Sequence, residues 1–160
     1  MTSGLVLLDN TVLTNFALVG RPDLVLDLWD VACATTSAVM AEYQAGVTSR
    51  GLPADIWNPV AQLPLDAGEQ AFADGLPPRL GAGERSCIAV AIQRQGLFAC
   101  DDADARREAQ RLGLVVTGTI GILVVSIRQG RLIAAKANAV LADLIAQGYR
   151  SPVTTLDDLL

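Results

Sequence analysis

The chain of 160 residues contains no histidine. Any chemistry that it performs must therefore proceed without an imidazole as base or metal ligand. Cysteine is also scarce, and its three positions are an odd number, widely spaced among apolar neighbours: Cys33, Cys87 and Cys100. Such cysteines are typical of reduced, buried thiols, and the sequence has neither a disulfide framework nor the ligand spacing of a zinc site.

Aromatic residues make up only 4% of the chain, whereas apolar residues in total make up 51%. Ala, Leu, Val and Ile must therefore fill the core, which is common where helices pack on a parallel sheet. A chain of this length forms about one domain, and we expect a single domain over residues 1–160.

Long apolar runs and excess positive charge are missing as well. No segment approaches the ~18 uninterrupted apolar residues of a membrane span, and the N-terminal MTSGLVLLDN lacks the basic flank of a signal peptide. We therefore expect a cytoplasmic protein with no membrane contact. The net charge of −5 disfavours a protein that coats nucleic acid by bulk electrostatics, so any nucleic-acid contact must be local.

Short apolar runs alternate with helical spacings along the chain. Strands are predicted at LVLLD (5–9), VACATT (31–36), LFAC (97–100) and LVVTG (114–118), with a possible further strand at VAQLPL (60–65). Helices are predicted at NTVLTNFALVG, RPDLVLDLWD, AVMAEYQAGV, LGAGERSCIAVAIQRQG, ADARREAQRLG, TIGILVVSIRQG and ANAVLADLIAQG. Ser37 and Thr119 are expected to cap the helices that follow them. The alternation predicts an α/β fold with a mostly parallel central sheet of about five strands, flanked by helices.

Four acidic residues follow separate strands or lie early in helices. Asp9 ends the first predicted strand and Asp101 ends the strand at 97–100, while Glu42 and Glu84 lie in the first turns of two helices. Ligands of open parallel sheets bind outside the carboxyl ends of the strands, where these side chains would meet. Clustered carboxylates repel one another unless a cation neutralises them, and Mg²⁺ or Mn²⁺, which prefer oxygen ligands, are the natural occupants.

Structural roles for the same acids stay open at this point. Glu84 suits the positive end of a helix dipole, and Asp9 can cap the helix that follows it. Of the adjacent Asp101 and Asp102, one is expected to be functional and the other to cap the next helix. Glu42 lies in an otherwise apolar AVMAEY segment, and charged residues are rarely buried there without a partner.

Other polar residues near the acids have two interpretations each. Thr11 and Asn15 lie close to Asp9 in sequence and either orient a water or belong to an ordinary helix surface. Arg106 and Arg107 are expected to make surface or cap pairs, with phosphate contact as the alternative. The glycines of VTGTIGIL do not form a dinucleotide fingerprint, because no G-x-G-x-x-G follows the first strand.

Five segments occur in the order, and at about the spacing, of the motifs in PIN-domain ribonucleases: LLDNTVLTNF, TTSAVMAEY, LGAGERSCIAVA, CDDADAR and LGLVVTGTIGIL. The chain resembles this family over nearly its whole length, and most of all a bacterial and archaeal PIN-like subgroup. The resemblance implies a PIN-like fold with a Mg²⁺ or Mn²⁺ site that hydrolyses RNA phosphodiesters. Such proteins are often the toxin of a toxin–antitoxin pair, which makes a cognate antitoxin protein an expected partner.

Matched residue by residue, the family's first three acids correspond to Asp9, Glu42 and Glu84. The fourth falls on either of two neighbours: general PIN patterns favour Asp102, whereas the closer subgroup and the strand register with Asp9 favour Asp101. We expect metal on Asp9 and Asp101, with Glu42 and Glu84 holding it directly or through water, and Asp102 as the helix cap. The expected supporting residues are Thr11, Thr119 and Asn15.

The expected function is thus a metal-dependent endoribonuclease acting on RNA. Two alternatives are a catalytically silent PIN-like binding or regulatory protein and another Mg²⁺-dependent phosphohydrolase. The complete set of acids favours the enzyme over the first, and the DNT after the first strand, which lacks a D-x-D nucleophile pair, argues against the second. The apolar helices VLDLW and TIGILVVSI predict surplus apolar surface and therefore a homodimer.

Overall fold

The structure, a computed structural model, describes residues 4–160. In this part of the chain a five-stranded sheet has the order β3-β2-β1-β4-β5, and every neighbouring pair is parallel. The strands are β1 (Leu5–Leu8), β2 (Ala32–Thr36), β3 (Ala61–Leu63), β4 (Leu97–Ala99) and β5 (Val116–Thr117). The predicted α/β fold with a parallel sheet is confirmed.

Helices lie between successive strands and follow the last one. Within residues 4–160 they are α1 (Asn10–Leu18), α2 (Asp23–Leu26), α3 (Ser37–Arg50), α4 (Ala67–Asp74), α5 (Ala82–Arg94), α6 (Ala103–Arg111), α7 (Thr119–Arg128) and α8 (Ala134–Ala146), with a short 3-10 helix at Asp157–Leu159. Two of them depart from the predicted bounds. Helix α2 is a single turn rather than most of residues 21–30, and α8 begins before its predicted start at residue 137.

The caps of two helices also differ from the prediction. Thr36, not Ser37, is the N-cap of α3, because the backbone of Thr36 is still extended and its Oγ1 accepts a hydrogen bond from the N–H of Val39 at 3.2 Å. Gly118 occupies the N-cap position of α7, so Thr119 is the first residue inside that helix. Its hydroxyl is therefore directed elsewhere, as described below.

The core is mainly aliphatic, as the composition predicts. Leu7 and Leu8 of the central strand β1 are fully buried, and Trp57 donates its indole N–H to the carbonyl oxygen of Leu13 at 3.2 Å. The two helices that predicted surplus apolar surface contribute most of that surface to this core. Leu28 and Ile122, for example, are both buried, whereas Trp29 and Ile120 are half-buried. The homodimer stays a prediction.

The strand order brings the ends of β1 and β4 together. β2 and β3 lie on one side of β1, and β4 and β5 lie on the other. In register, Leu8 of β1 pairs with Ala99 of β4, so Asp9 and the acids at 101–102 emerge at the same edge. Ligands of open parallel sheets bind in the crevice where the order of strands reverses in this way.

Candidate functional site

Asp9 lies directly after β1, caps α1 and is only 1% exposed. Its Oδ2 accepts hydrogen bonds from the Thr11 hydroxyl at 2.9 Å and from the Cys100 thiol at 3.3 Å. Its Oδ1 is buried and has no hydrogen-bond partner among the described residues. Burial raises the pKa of Asp9, and the hydrogen bonds from Thr11 and Cys100 offset this only in part. The capping role is confirmed, yet it leaves one oxygen of the carboxylate unused.

Glu84 brings a second unpaired oxygen to this region. It is half-buried in the first turn of α5, and its Oε2 has no hydrogen-bond partner within residues 4–160. Burial, followed by the negative charges of Asp9 and Asp102, raises the pKa of Glu84 to about 8. Three acids from three different segments therefore lie within electrostatic reach of one another.

Glu42 approaches the same helix end from α3. The residue is exposed, but its Oε1 accepts a hydrogen bond from the N–H of Gly83 at 2.9 Å. A Cβ on Gly83 would lie 2.6 Å from that oxygen, so a side chain at this position would displace the Glu42 carboxylate. A Cβ on Gly81 would lie 3.2 Å from Glu84 Oε1 and 3.8 Å from Glu42 Oε1, which places both carboxylates beside one turn. Although the residue as a whole is exposed, partial desolvation of its carboxyl group raises the pKa of Glu42, and the charge of Asp9 raises it further.

Asp102 has two contacts. As the N-cap of α6 it accepts a hydrogen bond on Oδ2 from the N–H of Ala105 at 2.9 Å, and the predicted cap is confirmed. The negative charge of the same carboxylate also helps to raise the pKa of Glu84. Capping does not remove Asp102 from the group of acids.

Asp101 is oriented differently, towards α1 and α7. Its Oδ1 accepts a hydrogen bond from the N–H of Thr119 at 2.8 Å. Its Oδ2 accepts one from the Thr119 hydroxyl at 2.6 Å and one from the Asn15 amide at 3.0 Å. A Cβ on Gly118 would lie 2.6 Å from Asp101 Oδ1, so glycine is needed at this crossing. Both oxygens of Asp101 thus fasten the end of β4 to two helices.

Thr11 and Asn15 lie on either side of this network. The Thr11 hydroxyl donates to Asp9 and accepts a hydrogen bond from the N–H of Asp101 at 3.0 Å, which joins the two strand ends. Asn15, predicted to lie near Asp9, instead donates to Asp101 and, at 3.2 Å, to Thr119. Asn15 lies about one helical turn beyond Thr11, and this moves its amide away from Asp9.

Two residues have contacts that the sequence did not reveal. Cys100, expected only as a buried thiol, also accepts a hydrogen bond from the N–H of Asp102 at 3.4 Å. Arg106, expected in a surface or cap pair, donates to the carbonyl oxygens of Cys100 at 2.7 Å and Thr117 at 2.9 Å. The Thr117 oxygen also accepts a hydrogen bond from the N–H of Cys100 at 2.9 Å, so Arg106 adds a second link between the ends of β4 and β5. Arg107 does pair on the surface, with Asp104.

The chemistry of the site follows from its unpaired oxygens. Among residues 4–160, no three acidic, cysteine or histidine side chains already converge closely enough to enclose an ion. However, buried carboxylate oxygens without donors are costly, and Asp9 Oδ1 and Glu84 Oε2 are two of them in one repulsive group. A divalent cation would satisfy both oxygens and the repulsion at once, and an all-oxygen donor set fits Mg²⁺ or Mn²⁺.

A pocket of about 380 Å³ opens beside the acids. It shares Thr11, Asp101 and Asp102 with the site, and its remaining lining residues are Asn10, Thr14, Asn15, Arg50, Gly148, Tyr149 and Arg150. The sequence analysis did not single out Arg50, Tyr149 or Arg150. The available signal was weak: one of only two tyrosines follows a glycine that ends the last helix.

A parallel sheet with carboxylates gathered where its strand order reverses defines an α/β protein with a site suited to a hard metal ion. A family model described as a PIN domain matches residues 5–160, and the chain belongs to the PIN-domain family. Searches of curated proteins and of solved structures found no match. PIN domains are generally nucleases that act on RNA and usually use divalent metal ions, so the family indicates a function of nuclease type.

No helix within residues 4–160 is both long and apolar enough to cross a membrane.

Proposed function

We propose that this protein is a Mg²⁺- or Mn²⁺-dependent endoribonuclease that hydrolyses RNA phosphodiester bonds. The observation that carries the proposal is the pair of buried, unpartnered oxygens, Asp9 Oδ1 and Glu84 Oε2, at the carboxyl edge of the sheet. A carboxylate with a purely structural role is expected to have donors on both oxygens, as Asp101 has. Asp9 and Glu84 lack them in the described chain, which supports a ligand role.

The metal ligands in this proposal are Asp9, Glu84 and Asp102, with Glu42 holding the ion directly or through water. Asp101 was the sequence-based choice for the fourth acid. The contacts favour its neighbour, because the charge of Asp102 acts on Glu84, whereas both oxygens of Asp101 already accept hydrogen bonds from Thr119 and Asn15.

When bound, the ion would activate a water as nucleophile and stabilise the charge that develops on the phosphate. The chain's own residues position the carboxylates. Thr11 and Cys100 hold Oδ2 of Asp9, which leaves Oδ1 for a ligand. The N–H of Gly83 holds Glu42 beside the start of α5. Because these groups are anchored at strand ends and helix starts, little reorganisation is needed during reaction.

The proposal extends to the cell. We infer that the protein is a cytoplasmic toxin with a cognate antitoxin, because the order of its motifs resembles that of PIN-like toxins and the proposed substrate is RNA. We also propose that it associates as a homodimer. The neighbouring open reading frame tests the toxin role: a small upstream gene that encodes a DNA-binding N-terminus is expected.

The nuclease proposal is tested with labelled single-stranded RNA. Cleavage is expected with Mg²⁺ or Mn²⁺, should stop in EDTA and should return when the metal is restored, because the donor set contains only oxygen. Asp9→Asn should be inactive, whereas Asp27→Asn, which removes the same charge from an exposed position, should cleave as the parent does. Undiminished cleavage in EDTA, or by Asp9→Asn, would refute the mechanism.

A further inference from the structure

We propose that the pocket lined by Arg50, Tyr149 and Arg150 is the subsite for one unpaired nucleotide of the RNA strand, with the base against Tyr149 and the adjoining phosphates on the two arginines. The inference rests on the proposed function, because it concerns how the same site receives its substrate. We call this cavity the Tyr149 pocket.

The Tyr149 pocket is continuous with the carboxylates. Its volume of about 380 Å³ includes walls formed by Thr11, Asp101 and Asp102. A second cavity of about 180 Å³ shares Asp101, Tyr149 and Arg150 with it. Ligand pockets range over about 300–1,000 Å³, so this one is small and suits a single nucleotide rather than a duplex. A strand seated here would run directly past the acids.

Two arginines, Arg50 and Arg150, line this pocket together with Asp101 and Asp102. Arg50 is the last residue of α3 and Arg150 follows α8, and both are exposed. Within residues 4–160 neither arginine forms an ion pair, as is true of most arginines outside the pairs at Arg21, Arg94, Arg107 and Arg111, so both charges are available to a ligand. Two arginines without carboxylate partners beside a cluster of acids are suited to phosphate. They would counter the repulsion between the strand and the carboxylates.

The backbone fixes Tyr149 at the pocket wall. Gly148 has φ +103°, a conformation that glycine adopts readily, and it turns the chain after α8. The N–H of Tyr149 then donates to the carbonyl oxygen of Leu144 at 3.0 Å. Tyr149 is half-buried and lines the cavity. A fixed aromatic ring stacks on an unpaired base of any kind, which is the usual way in which single strands are held.

These features favour RNA over an acidic protein segment as the occupant. An acidic segment would use the arginines but would not need an aromatic ring in the same pocket, and Asp101 and Asp102 on the wall would repel it. The Asn10 and Thr14 side chains hydrogen-bond to each other at 3.2 Å on the pocket wall, and Asn15 is engaged by Asp101. Because stacking dominates, we expect weak base preference.

Binding is measured first, by fluorescence anisotropy of a short labelled single-stranded RNA with Asp9→Asn protein, which prevents cleavage. Arg50→Ala and Arg150→Ala should each weaken binding and lower the slope of log K against log salt by about 0.7, the value for one phosphate contact on a single strand. Arg131→Ala removes the same charge from an exposed position outside the pocket and is the control. An unchanged slope in both pocket variants would overturn the proposal. The two arginines would then be assigned to binding an acidic protein partner.

Tyr149 is tested by a pair of variants. Tyr149→Leu should weaken binding roughly five-fold or more, because it removes the stacking surface. Tyr149→Phe keeps the ring and should bind as the parent does. Equal binding by Tyr149→Leu and the parent would contradict the stacking role.

Cleavage kinetics separate this inference from the nuclease proposal. In the chain with Asp9 intact, the pocket variants should raise KM far more than they lower kcat, since they bind substrate remote from the reacting bond. If the parent cleaves RNA and the pocket variants bind and cleave as it does, the subsite is wrong and the nuclease stands. If no cleavage occurs but the slope and stacking effects are found, the nuclease proposal fails and the subsite stands.

Discussion

At the scale of single residues, the adjacent Asp101 and Asp102 have opposite surroundings. Asp101 accepts three hydrogen bonds from Thr119 and Asn15, so its charge is already used to join β4 to two helices. Asp102 accepts one at the start of α6 and otherwise faces the carboxylate of Glu84. The first therefore stabilises the fold, and the second adds to a repulsion that a cation would relieve.

We predict that the two asparagine variants fail in different ways. Asp102→Asn should keep its cap, since asparagine caps about as well as aspartate, and should melt no lower than the parent in EDTA. Its cleavage should fall by more than the roughly 10- to 100-fold that loss of an outer-shell partner costs. Asp101→Asn turns an amide towards donors and should lose about 1–3 kcal/mol of stability. Thermal melts and initial rates check both.

The opposite pattern would restore the sequence-based choice. If Asp101→Asn melts as the parent does but no longer cleaves, while Asp102→Asn remains active, then Asp101 is the ligand and its hydrogen bonds rearrange when metal binds.

The sequence predicted which residues would gather but not how each would point. Asp9, Glu84 and Asp102 follow strands or open helices, and parallel strands bring such positions to one edge. The choice between Asp101 and Asp102 depends on the direction of each side chain after β4. The alternation within a strand does not determine which of two adjacent residues beyond its end faces the site. The roles of Cys100 and Arg106 depend on contacts with distant backbone and leave no periodic signal.

At the scale of helices and strands, the crossing of α3 and α5 is held close by one glycine. Gly83 and Gly68 are both the second residue of a helix, and a glutamate follows each. A Cβ on Gly83 would meet Glu42 Oε1 at 2.6 Å, whereas a Cβ on Gly68 would meet no atom nearer than 3.5 Å. The two positions are therefore a matched pair.

We predict that Gly83→Ala displaces Glu42 while Gly68→Ala does no harm. Alanine at position 68 should raise stability by up to about 1 kcal/mol, the usual gain over glycine in a helix. Alanine at position 83 should break the hydrogen bond from its N–H to Glu42, because the Glu42 side chain moves away more easily than the backbone of α5. Cleavage should then fall as it does in Glu42→Gln. Equal activity of both alanine variants would show that Glu42 is not needed where it lies.

Most elements were predictable from apolar spacing, and the misses have physical causes. The strands β1 and β4 are nearly continuous apolar runs because a central parallel strand is buried on both faces. Helix α2 ends after one turn although its apolar pattern continues through Leu28. The apolar spacing of this segment reflects burial of its side chains in the core. An irregular segment can bury such side chains as well as a helix can.

At the scale of the whole molecule, the group of acids links metal binding to folding. Glu84 and Asp9 carry unpaired buried oxygens, and their mutual charge opposes the folded state when no cation is present. A ligand that binds only the folded chain stabilises it by about 2.7 kcal/mol when its concentration is 100 times Kd. The carboxylates therefore lower the stability of the metal-free protein and raise its response to metal.

We predict that Mn²⁺ near 100 times its Kd raises the Tm of the parent above its value in EDTA by roughly 5–10 °C, since 1 kcal/mol shifts a domain of this size by about 2–4 °C. Asp9→Asn should fold, because its amide oxygen still accepts from Thr11 and the substitution removes one negative charge beside Glu84. In EDTA it should melt at or above the parent, yet Mn²⁺ should shift it much less. Asp27→Asn should respond as the parent does. An equal shift in all three proteins would mean that the ion binds elsewhere, and the ligand assignment to Asp9 would be wrong.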